Sequence, residues 1–263
     1  MTGHSFRDRA SMALREMQAA ACSVTGLTQR RLSGRMGSAA ILMYHRVVAD
    51  DDIAPDNPAM FVRASTFEWQ IARLKERWEI RTLGDLVRRP VGPEDPPCVV
   101  LTFDDGWRDN LTVAWPILER LGVRATIFLV RDFSLTGRGP EGEFLQPDEI
   151  RDLASKGVEF GAHTVTHPFL DLMPAREVED EMRFSKLAVE EWTGRPCEAF
   201  AYPAGRLNGE TADMARTIFR VSVTVRRGWW TPECDWALVP RLGIHQDMTR
   251  TRPLFDARLA GIA

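Results

Sequence analysis

Short apolar runs alternate with amphipathic stretches from residue 39 onward, and this alternation is the feature that most constrains the fold. Each run is long enough for one buried strand, and the stretches between them have apolar residues at helical spacing. A repeated strand-then-helix order is typical of a parallel sheet covered by helices. We predict strands at 40–48, 98–103, 125–130, 158–162, 199–202, 221–225 and 237–244. We predict helices at 66–77, 107–121, 147–156, 174–193 and 209–219.

Seven predicted strands with helices between them fit a distorted (β/α) barrel better than an open sheet. The length of 263 residues lies in the range of one barrel domain. We therefore assign 39–263 to a barrel domain and 1–38 to an N-terminal helical extension. Segments 49–59, 90–97 and 132–144 are rich in Pro, Asp or Gly, so we predict that they are surface loops.

The extension at residues 1–38 is basic, because it has six arginines and two acidic residues, a local charge of +4. Its apolar residues recur at helical spacing: Ala10, Ala13, Leu14, Met17, Ala21, Val24 and Leu27. Two interpretations stay open: a helix docked on the domain or frayed, and peripheral contact with an anionic membrane surface. Glu16 and Gln18 interrupt the apolar core that a secretory signal needs. We therefore expect no signal peptide and a location in the cytoplasm or at the cytoplasmic face of the membrane.

Composition excludes some classes of function. The chain is 44% hydrophobic and 27% charged, with a formal net charge of −3. Such a balance is typical of a soluble globular protein, and it does not favour nucleic acid as a partner. The four cysteines form no C-x-x-C pair, so neither a thiolate zinc site nor a redox motif is indicated.

A pair of acidic residues ends one of the predicted buried strands, in the sequence Thr102-Phe103-Asp104-Asp105-Gly106. Two carboxylates at the end of a buried strand are costly unless a cation or hydrogen bonds compensate them. The carboxyl ends of parallel strands are also where active sites form in barrels. An alternative for these residues is a helix N-cap followed by an acidic first turn.

A second pair of polar side chains follows another predicted strand, in the sequence His163-Thr164-Val165-Thr166-His167. Two imidazoles four residues apart can bind one metal ion if the segment is helical or curls after the strand. Together with Asp105 they would supply two nitrogen ligands and one oxygen ligand, and leave positions for water and substrate. This ligand set suits zinc first, with cobalt, nickel or manganese as alternatives. Asp104 would then be free to act as a general base in the hydrolysis of an amide or ester.

From about Ile41 to Asp247 the sequence resembles the polysaccharide deacetylases that share the NodB homology domain, also called carbohydrate esterase family 4. The residues that carry the resemblance are the Thr-Phe-Asp-Asp-Gly and His-x-x-x-His motifs, in the family's order. The resemblance implies that Asp104 is the catalytic base and that Asp105, His163 and His167 bind one divalent metal ion. It also implies a distorted (β/α) barrel, in agreement with the strand pattern.

A third family motif, usually Arg-x-Pro-x-Gly, reads Ala201-Tyr202-Pro203-Ala204-Gly205 here and lacks the arginine that orients the base. We hypothesise that Arg241 replaces it beside Asp104. By similarity, the backbone N–H of Ala204 would face the developing oxyanion. Tyr202, together with the sequence Leu42-Met43-Tyr44-His45-Arg46, resembles the subgroup that acts on poly-N-acetylglucosamine and other exopolysaccharides.

Four more residues are candidates by position. His245 falls where the family has the histidine that protonates the leaving amine, although a solvated histidine after the last strand is an alternative. His45 ends the first strand and is predicted to contact the substrate or a metal ligand, or to be a satisfied strand-end residue. Trp107 offers a flat face for a sugar ring, although most tryptophans are packing residues. Asp235 resembles a residue that tunes the acid, but we favour a surface turn.

We therefore expect removal of N-acetyl groups from N-acetylhexosamine units of a surface polysaccharide or its precursor. Two alternatives remain. The first is a carbohydrate-binding protein with impaired catalysis, because the usual motif arginine is missing and the late motifs are imperfect. The second is a metal-dependent amidase or esterase that acts on a small molecule other than a sugar.

Overall fold

A computed structural model describes residues 6–139 and 142–262 of the chain. In these ranges the strands are β1 Ala39–Tyr44, β2 Arg46–Val48, β3 Phe61–Arg63, β4 Glu79–Arg81, β5 Cys98–Phe103, β6 Thr126–Leu129, β7 Arg138–Gly139, β8 Gly142–Glu143, β9 Glu159–Ala162, β10 Ala199–Ala201, β11 Val221–Arg227 and β12 Val239–Gly243. The helices are α1 Phe6–Val24, α2 Leu27–Ser33, α3 Ala64–Lys75, α4 Leu83–Arg88, α5 Trp115–Leu121, α6 Arg131–Thr136, α7 Pro147–Ser155, α8 Ala175–Thr193, α9 Gly209–Ile218, α10 Gln246–Thr249 and α11 Arg252–Leu259.

Seven parallel strands close into a barrel, as the strand pattern predicts. They pair in the order β1, β12, β11, β10, β9, β6 and β5, and β5 pairs again with β1. The additional strand β4 pairs with the first half of β5, beside β6. Since all seven strands run in the same direction, the residues that follow them meet at one end of the barrel.

Alternate strand residues belong to two different parts of the core. Ile41, Val100 and Val239 are buried in the cluster that the strands enclose, together with side chains of α4. Leu42 and Leu101 belong instead to the larger cluster between the strands and the surrounding helices. This period of two continues past the strand ends and places Asp104 and His163 on the interior side of the barrel.

Local sequence signals explain several helix ends. Pro147 occupies the first turn of α7, where Gln146 and Glu149 form a reciprocal capping box. Gly122 ends α5 in the left-handed conformation that glycine adopts without strain. The prediction for 107–121 is only partly right, because residues Asn110–Ala114 form a π-helical turn before α5 begins.

Two predictions about segment boundaries were wrong. The first predicted strand, 40–48, is divided at His45, where the chain leaves the barrel and Arg46–Val48 pairs with β3. The predicted loop 132–144 contains α6 and the short hairpin of β7 and β8. Phe144 is buried there against Trp107, at 4.3 Å between ring centroids. This tertiary contact between aromatic rings is what the glycine-rich pattern of the segment does not reveal.

The N-terminal extension forms α1 and α2, and α1 packs along α11. Ala19 is the buried contact, next to Leu254 and Ala257. Leu14, Met17 and Val24, on the predicted apolar side, are 54%, 67% and 89% exposed. The side of α1 that docks is therefore not the predicted apolar side. The N-terminal part of that pattern includes Ala10, whose side chain lies outside the described residues.

Contact of the extension with a membrane stays a prediction. Among the described residues, no helix has the length and apolarity needed to span a membrane.

Candidate active site at the carboxyl end of the barrel

Asp104 and Arg241 form a buried ion pair at the carboxyl end of the barrel. Both guanidinium nitrogens Nη1 and Nη2 donate to the Asp104 carboxylate, each at 2.7 Å. Arg241 is 1% exposed, and its remaining donors bind the Thr224 carbonyl at 2.9 Å and the Thr102 hydroxyl at 3.1 Å. Burial raises the pKa of Asp104, but the charge and hydrogen bonds of Arg241 outweigh it, so the pKa is held below its usual value. The expected juxtaposition of these two residues is therefore present.

Asp105, His163 and His167 converge on one point beside Asp104. Their ligand atoms all lie within 4.8 Å of one another. The Asp105 Oδ1 atom is 3.4 Å from His163 Nε2 and 3.5 Å from His167 Nε2. Ligand atoms about 2.1 Å from a tetrahedral cation are separated by roughly 3.4 Å, so these spacings suit a cation between the three atoms. The donor set therefore fits one divalent metal ion of the zinc type.

A hydrogen bond orients the His163 imidazole toward this point. His163 Nδ1 lies 2.7 Å from the Ala201 carbonyl oxygen, which fixes Nδ1 as the donor and leaves the Nε2 lone pair for a metal. Burial lowers the pKa of His163, but the Asp105 carboxylate outweighs it and the pKa is raised in the metal-free protein. Burial, followed by the charge of His163, lowers the pKa of His167 to about 4. His167 is therefore neutral at pH 7, which is the form of imidazole that can bind a metal ion.

The segment that carries the two histidines is held by helix α8. The Glu181 carboxylate accepts hydrogen bonds from the backbone N–H of Val165 at 2.6 Å and of Thr166 at 3.0 Å. Its other oxygen accepts one from the Thr166 hydroxyl at 2.8 Å. Inside the segment, the His167 N–H donates to the Thr164 hydroxyl oxygen at 3.0 Å. These bonds curl the chain after β9, which brings His167 back toward His163.

Backbone strain is concentrated in this site. Among the described residues, four that are not glycine have positive φ: Asp105 at 74°, Thr164 at 72°, His167 at 60° and Ala204 at 50°. Such conformations cost energy for residues with a Cβ atom, and they persist where the surroundings impose them. All four follow β5, β9 or β10, so the strain lies where the candidate ligands are positioned.

Trp107 does not present a face to a sugar, in contrast to the expectation that it binds substrate. Its ring is 2% exposed, with the Arg46 guanidinium 4.5 Å from the ring centroid and Phe144 packed against it. The indole N–H donates to Asp105 Oδ2 at 3.0 Å. Trp107 therefore orients a candidate metal ligand.

Tyr202 also differs from the expectation of substrate contact. Its side chain is fully buried, and its hydroxyl donates to the Ala237 carbonyl at 2.9 Å. The neighbouring Ala204 is exposed in a single turn of 3₁₀ helix, where the Gly205 N–H donates to the Tyr202 carbonyl at 2.9 Å. The backbone of Ala204, and not the ring of Tyr202, is thus available to a ligand.

His45 and His245 lie at the same end of the barrel. The Asp104 N–H donates to the Tyr44 carbonyl at 3.0 Å, so His45 follows β1 directly beside the acidic pair. His245 begins α10 after β12; burial, followed by the charge of Arg258, lowers its pKa to about 4. Both histidines are half-buried, so both can meet a ligand.

Asp235 lies in an exposed turn, as favoured from the sequence. It forms an ion pair with Arg216, and its Oδ1 atom accepts from the Ala237 N–H at 2.9 Å.

A cavity of ≈ 330 Å³ lies at the opposite end of the barrel from the acidic pair, beside Glu159 at the start of β9. It does not include any of the candidate site residues.

Sequence reasoning missed four residues that support the site: Glu181, Arg46, Asp109 and Asn110. Asp109 and Asn110 stand four and five residues after Asp105, close enough in sequence to have been considered with the acidic motif. Glu181 had no such signal, because one glutamate in an acidic helix looks like any solvated surface residue.

Comparisons with known proteins agree with this geometry. Residues 91–218 match the family model described as polysaccharide deacetylase. A curated Bacillus subtilis protein named "Putative polysaccharide deacetylase YxkH" is 31% identical over 133 residues, which are 50% of this chain and 46% of that protein. The chain thus matches less than half the length of this relative.

Two solved structures share the fold at 25% sequence identity. The Streptococcus pyogenes deacetylase PplD, in complex with acetate, matches with a TM-score of 0.73, over 86% of this chain and 97% of that chain. BC0361, a polysaccharide deacetylase from Bacillus cereus, matches with a TM-score of 0.72, over 84% of this chain and 69% of that chain.

Proposed function

This chain belongs to the polysaccharide deacetylase family, and from that premise we propose that it removes N-acetyl groups from N-acetylhexosamine units of a surface polysaccharide or its precursor. The observation that supports this proposal best is the buried Asp104 carboxylate, held ionised by Arg241 beside three convergent candidate metal ligands. A base next to a cation site is the arrangement that amide hydrolysis needs.

Asp105, His163 and His167 would hold the divalent metal ion. When bound, such an ion polarises the acetamide carbonyl and lowers the pKa of a water molecule. Asp104 accepts the proton of the attacking water, and Arg241 keeps that carboxylate ionised and fixes the direction of its lone pairs. By similarity to the family, the backbone N–H of Ala204, an exposed residue, would donate to the developing oxyanion.

The leaving nitrogen needs a proton when its bond to the acetyl carbon breaks, so that acetate and a free amine result. We assign this proton to His245. In the free protein its pKa of about 4 leaves the ring neutral at pH 7. The ring therefore has to take up a proton after substrate binds, which negative charge developing on the substrate favours.

The structure bears on the alternative of a carbohydrate-binding protein with impaired catalysis. That alternative rested on the imperfect late motifs and on the missing motif arginine, and for the second of these Arg241 supplies a guanidinium to Asp104 from another strand. The acetate bound to the Streptococcus pyogenes neighbour also agrees with release of an acetyl group on this fold. Together these observations favour hydrolysis.

The test combines elemental analysis with acetate release from N-acetylglucosamine oligomers. We expect the wild type to contain about one divalent metal ion and to release acetate. Asp104→Asn should retain the metal and lose activity, whereas His163→Ala should lose most of the metal. Asp152→Asn, an exposed residue of α7, is the matched control and should keep both. No acetate from any oligomer with any divalent metal would refute the proposal, and cleavage of acetyl esters or cyclic amides instead would favour a small-molecule hydrolase.

A further inference from the structure

Arg46, Asp109 and Trp107 form a continuous series of contacts that ends on Asp105. The Arg46 Nε atom donates to Asp109 Oδ2 at 2.7 Å, and the Arg46 guanidinium carbon lies 4.5 Å from the Trp107 ring centroid. Trp107 Nε1 then donates to Asp105 Oδ2 at 3.0 Å. The other Asp105 oxygen, Oδ1, is the atom that faces His163 and His167. The series therefore acts on the carboxylate oxygen that the proposed metal does not use.

We propose that Arg46 and Asp109 are positioning residues that set the metal affinity of the site, because they fix the Trp107 ring from which Asp105 receives its hydrogen bond. This inference rests on the proposed metal site, but not on the identity of the substrate. It assigns a role to two charged residues that the hydrolytic steps above do not use.

Rotation of the Trp107 ring would break its hydrogen bond with Asp105, and the packing resists that rotation on both sides. Arg46 covers the ring on one side, and Phe144 packs against it at 4.3 Å between centroids. A guanidinium over an indole face is attractive, and it is only partly exposed here. Asp109 prevents Arg46 from swinging into solvent. The ring, the guanidinium and the carboxylate thus hold one another in place.

Asp109 also connects this series to the turn between β1 and β2, which contains His45. Its Oδ1 atom accepts from the Val47 N–H at 3.2 Å and from the Asn110 side-chain amide at 3.2 Å. The same amide donates to the His45 carbonyl at 2.9 Å. The turn between β1 and β2 is therefore tied to the helical start that follows the acidic pair. Such outer contacts of metal ligands commonly change metal affinity by about 10-fold to 100-fold when they are removed.

The experiment measures the Kd for Zn²⁺ of the metal-free full-length chain by competition with a chromophoric chelator. We expect Arg46→Gln, Asp109→Asn and Trp107→Phe each to raise the Kd by about 10-fold or more. Arg46→Lys keeps a cation over the ring and should restore part of the affinity. Arg108→Gln is the matched control. Arg108 directly follows Trp107 in the sequence, but its side chain binds Glu143 and Glu149 at the surface. The Kd of this variant for Zn²⁺ should equal that of the wild type.

A double variant separates positioning from general destabilisation. If Arg46 acts through the indole, Arg46→Gln with Trp107→Phe should raise the Kd no more than Trp107→Phe alone. Additive effects, or an unchanged Kd for Arg46→Gln, would overturn the inference. A lower Tm of the metal-free protein with an unchanged Kd would do the same, since it marks a structural role only. Because the readout is Zn²⁺ affinity, failure to find acetate release would leave this result interpretable.

Discussion

At the scale of single residues, the arginine that pairs with Asp104 comes from β12, as hypothesised from the sequence. Arg241 reaches the Asp104 carboxylate with two parallel hydrogen bonds of 2.7 Å. A planar guanidinium makes this two-point contact, and an ammonium does not. The pair is fully buried, so loss of either partner leaves an uncompensated charge.

We expect Arg241→Lys to lower kcat/KM for acetate release by at least about 10-fold, because lysine keeps the charge but loses the second hydrogen bond. The weaker partner should also raise the pKa of Asp104, so the acid side of the pH profile should move to higher pH. Arg226→Lys, on the exposed end of β11, is the matched control. An unchanged pH profile in Arg241→Lys would show that Arg241 does not set the ionisation of Asp104.

At the scale of elements, helix α8 determines the shape of the segment with the two histidines. Glu181 receives three hydrogen bonds from Val165 and Thr166, at distances between 2.6 and 3.0 Å. The segment has two residues with positive φ, Thr164 and His167, whose cost has to be balanced by such contacts. The helix thus acts on the site without contributing a ligand.

We expect Glu181→Ala to weaken binding of Zn²⁺ by about 10-fold, because the freed segment loses the curl that directs His167 toward His163. Chelator competition with metal-free protein measures this directly. Glu177→Ala changes an exposed glutamate one turn earlier on the same helix and should bind Zn²⁺ as the wild type does. Equal affinity of the two variants would mean that α8 does not organise the segment.

Close packing inside the barrel leads to a second prediction about elements. A Cβ atom added at Gly161 on β9 would lie 2.5 Å from the Phe128 ring and 2.9 Å from the Ala199 carbonyl oxygen. We expect Gly161→Ala to lower the free energy of unfolding by about 1–3 kcal/mol, through overpacking. Gly209→Ala, at the start of α9, meets no atom within 4 Å and should be neutral or stabilising by up to about 1 kcal/mol. Urea unfolding of both variants measures the difference.

At the scale of the whole molecule, buried histidines make the stability of the metal-free protein depend on pH. Burial, followed by the charge of Arg258, lowers the pKa of His245 to about 4, from the value of about 6.5 for a free imidazole. Below about pH 6.5 the unfolded chain therefore binds a proton that the folded chain refuses until about pH 4. The contribution of His245 to stability is complete above this window and is lost as the pH falls through it.

Between pH 7 and pH 4.5, we expect the Tm of the chelator-treated His245→Asn variant to decrease less than that of the wild type, by about 2 °C or more, because asparagine takes up no proton. Part of the decrease should remain, because the pKa of His167 is also lowered to about 4. Thermal unfolding followed by circular dichroism measures both curves. Parallel curves for the two proteins would contradict a buried, neutral His245.

Strand pattern and two short motifs were enough to predict the closed barrel, the end of it that carries the site, and the convergence of Asp105, His163 and His167. These features depend on local periodicity and on the common direction of parallel strands, which a linear sequence records. The motif resemblance also led to the hypothesis that Arg241 lies beside Asp104.

Only the tertiary structure decided that Trp107 and Tyr202 are buried, that α1 docks through Ala19, and that Arg46, Asp109 and Glu181 support the ligands. Each of these depends on which side of a residue faces a neighbour distant in sequence, such as Phe144 for Trp107 or Ala237 for Tyr202. An aromatic ring or a carboxylate has the same local signal whether it meets solvent, a sugar or a second side chain. The free energy of burial and hydrogen bonding that separates these cases arises only when the chain is packed.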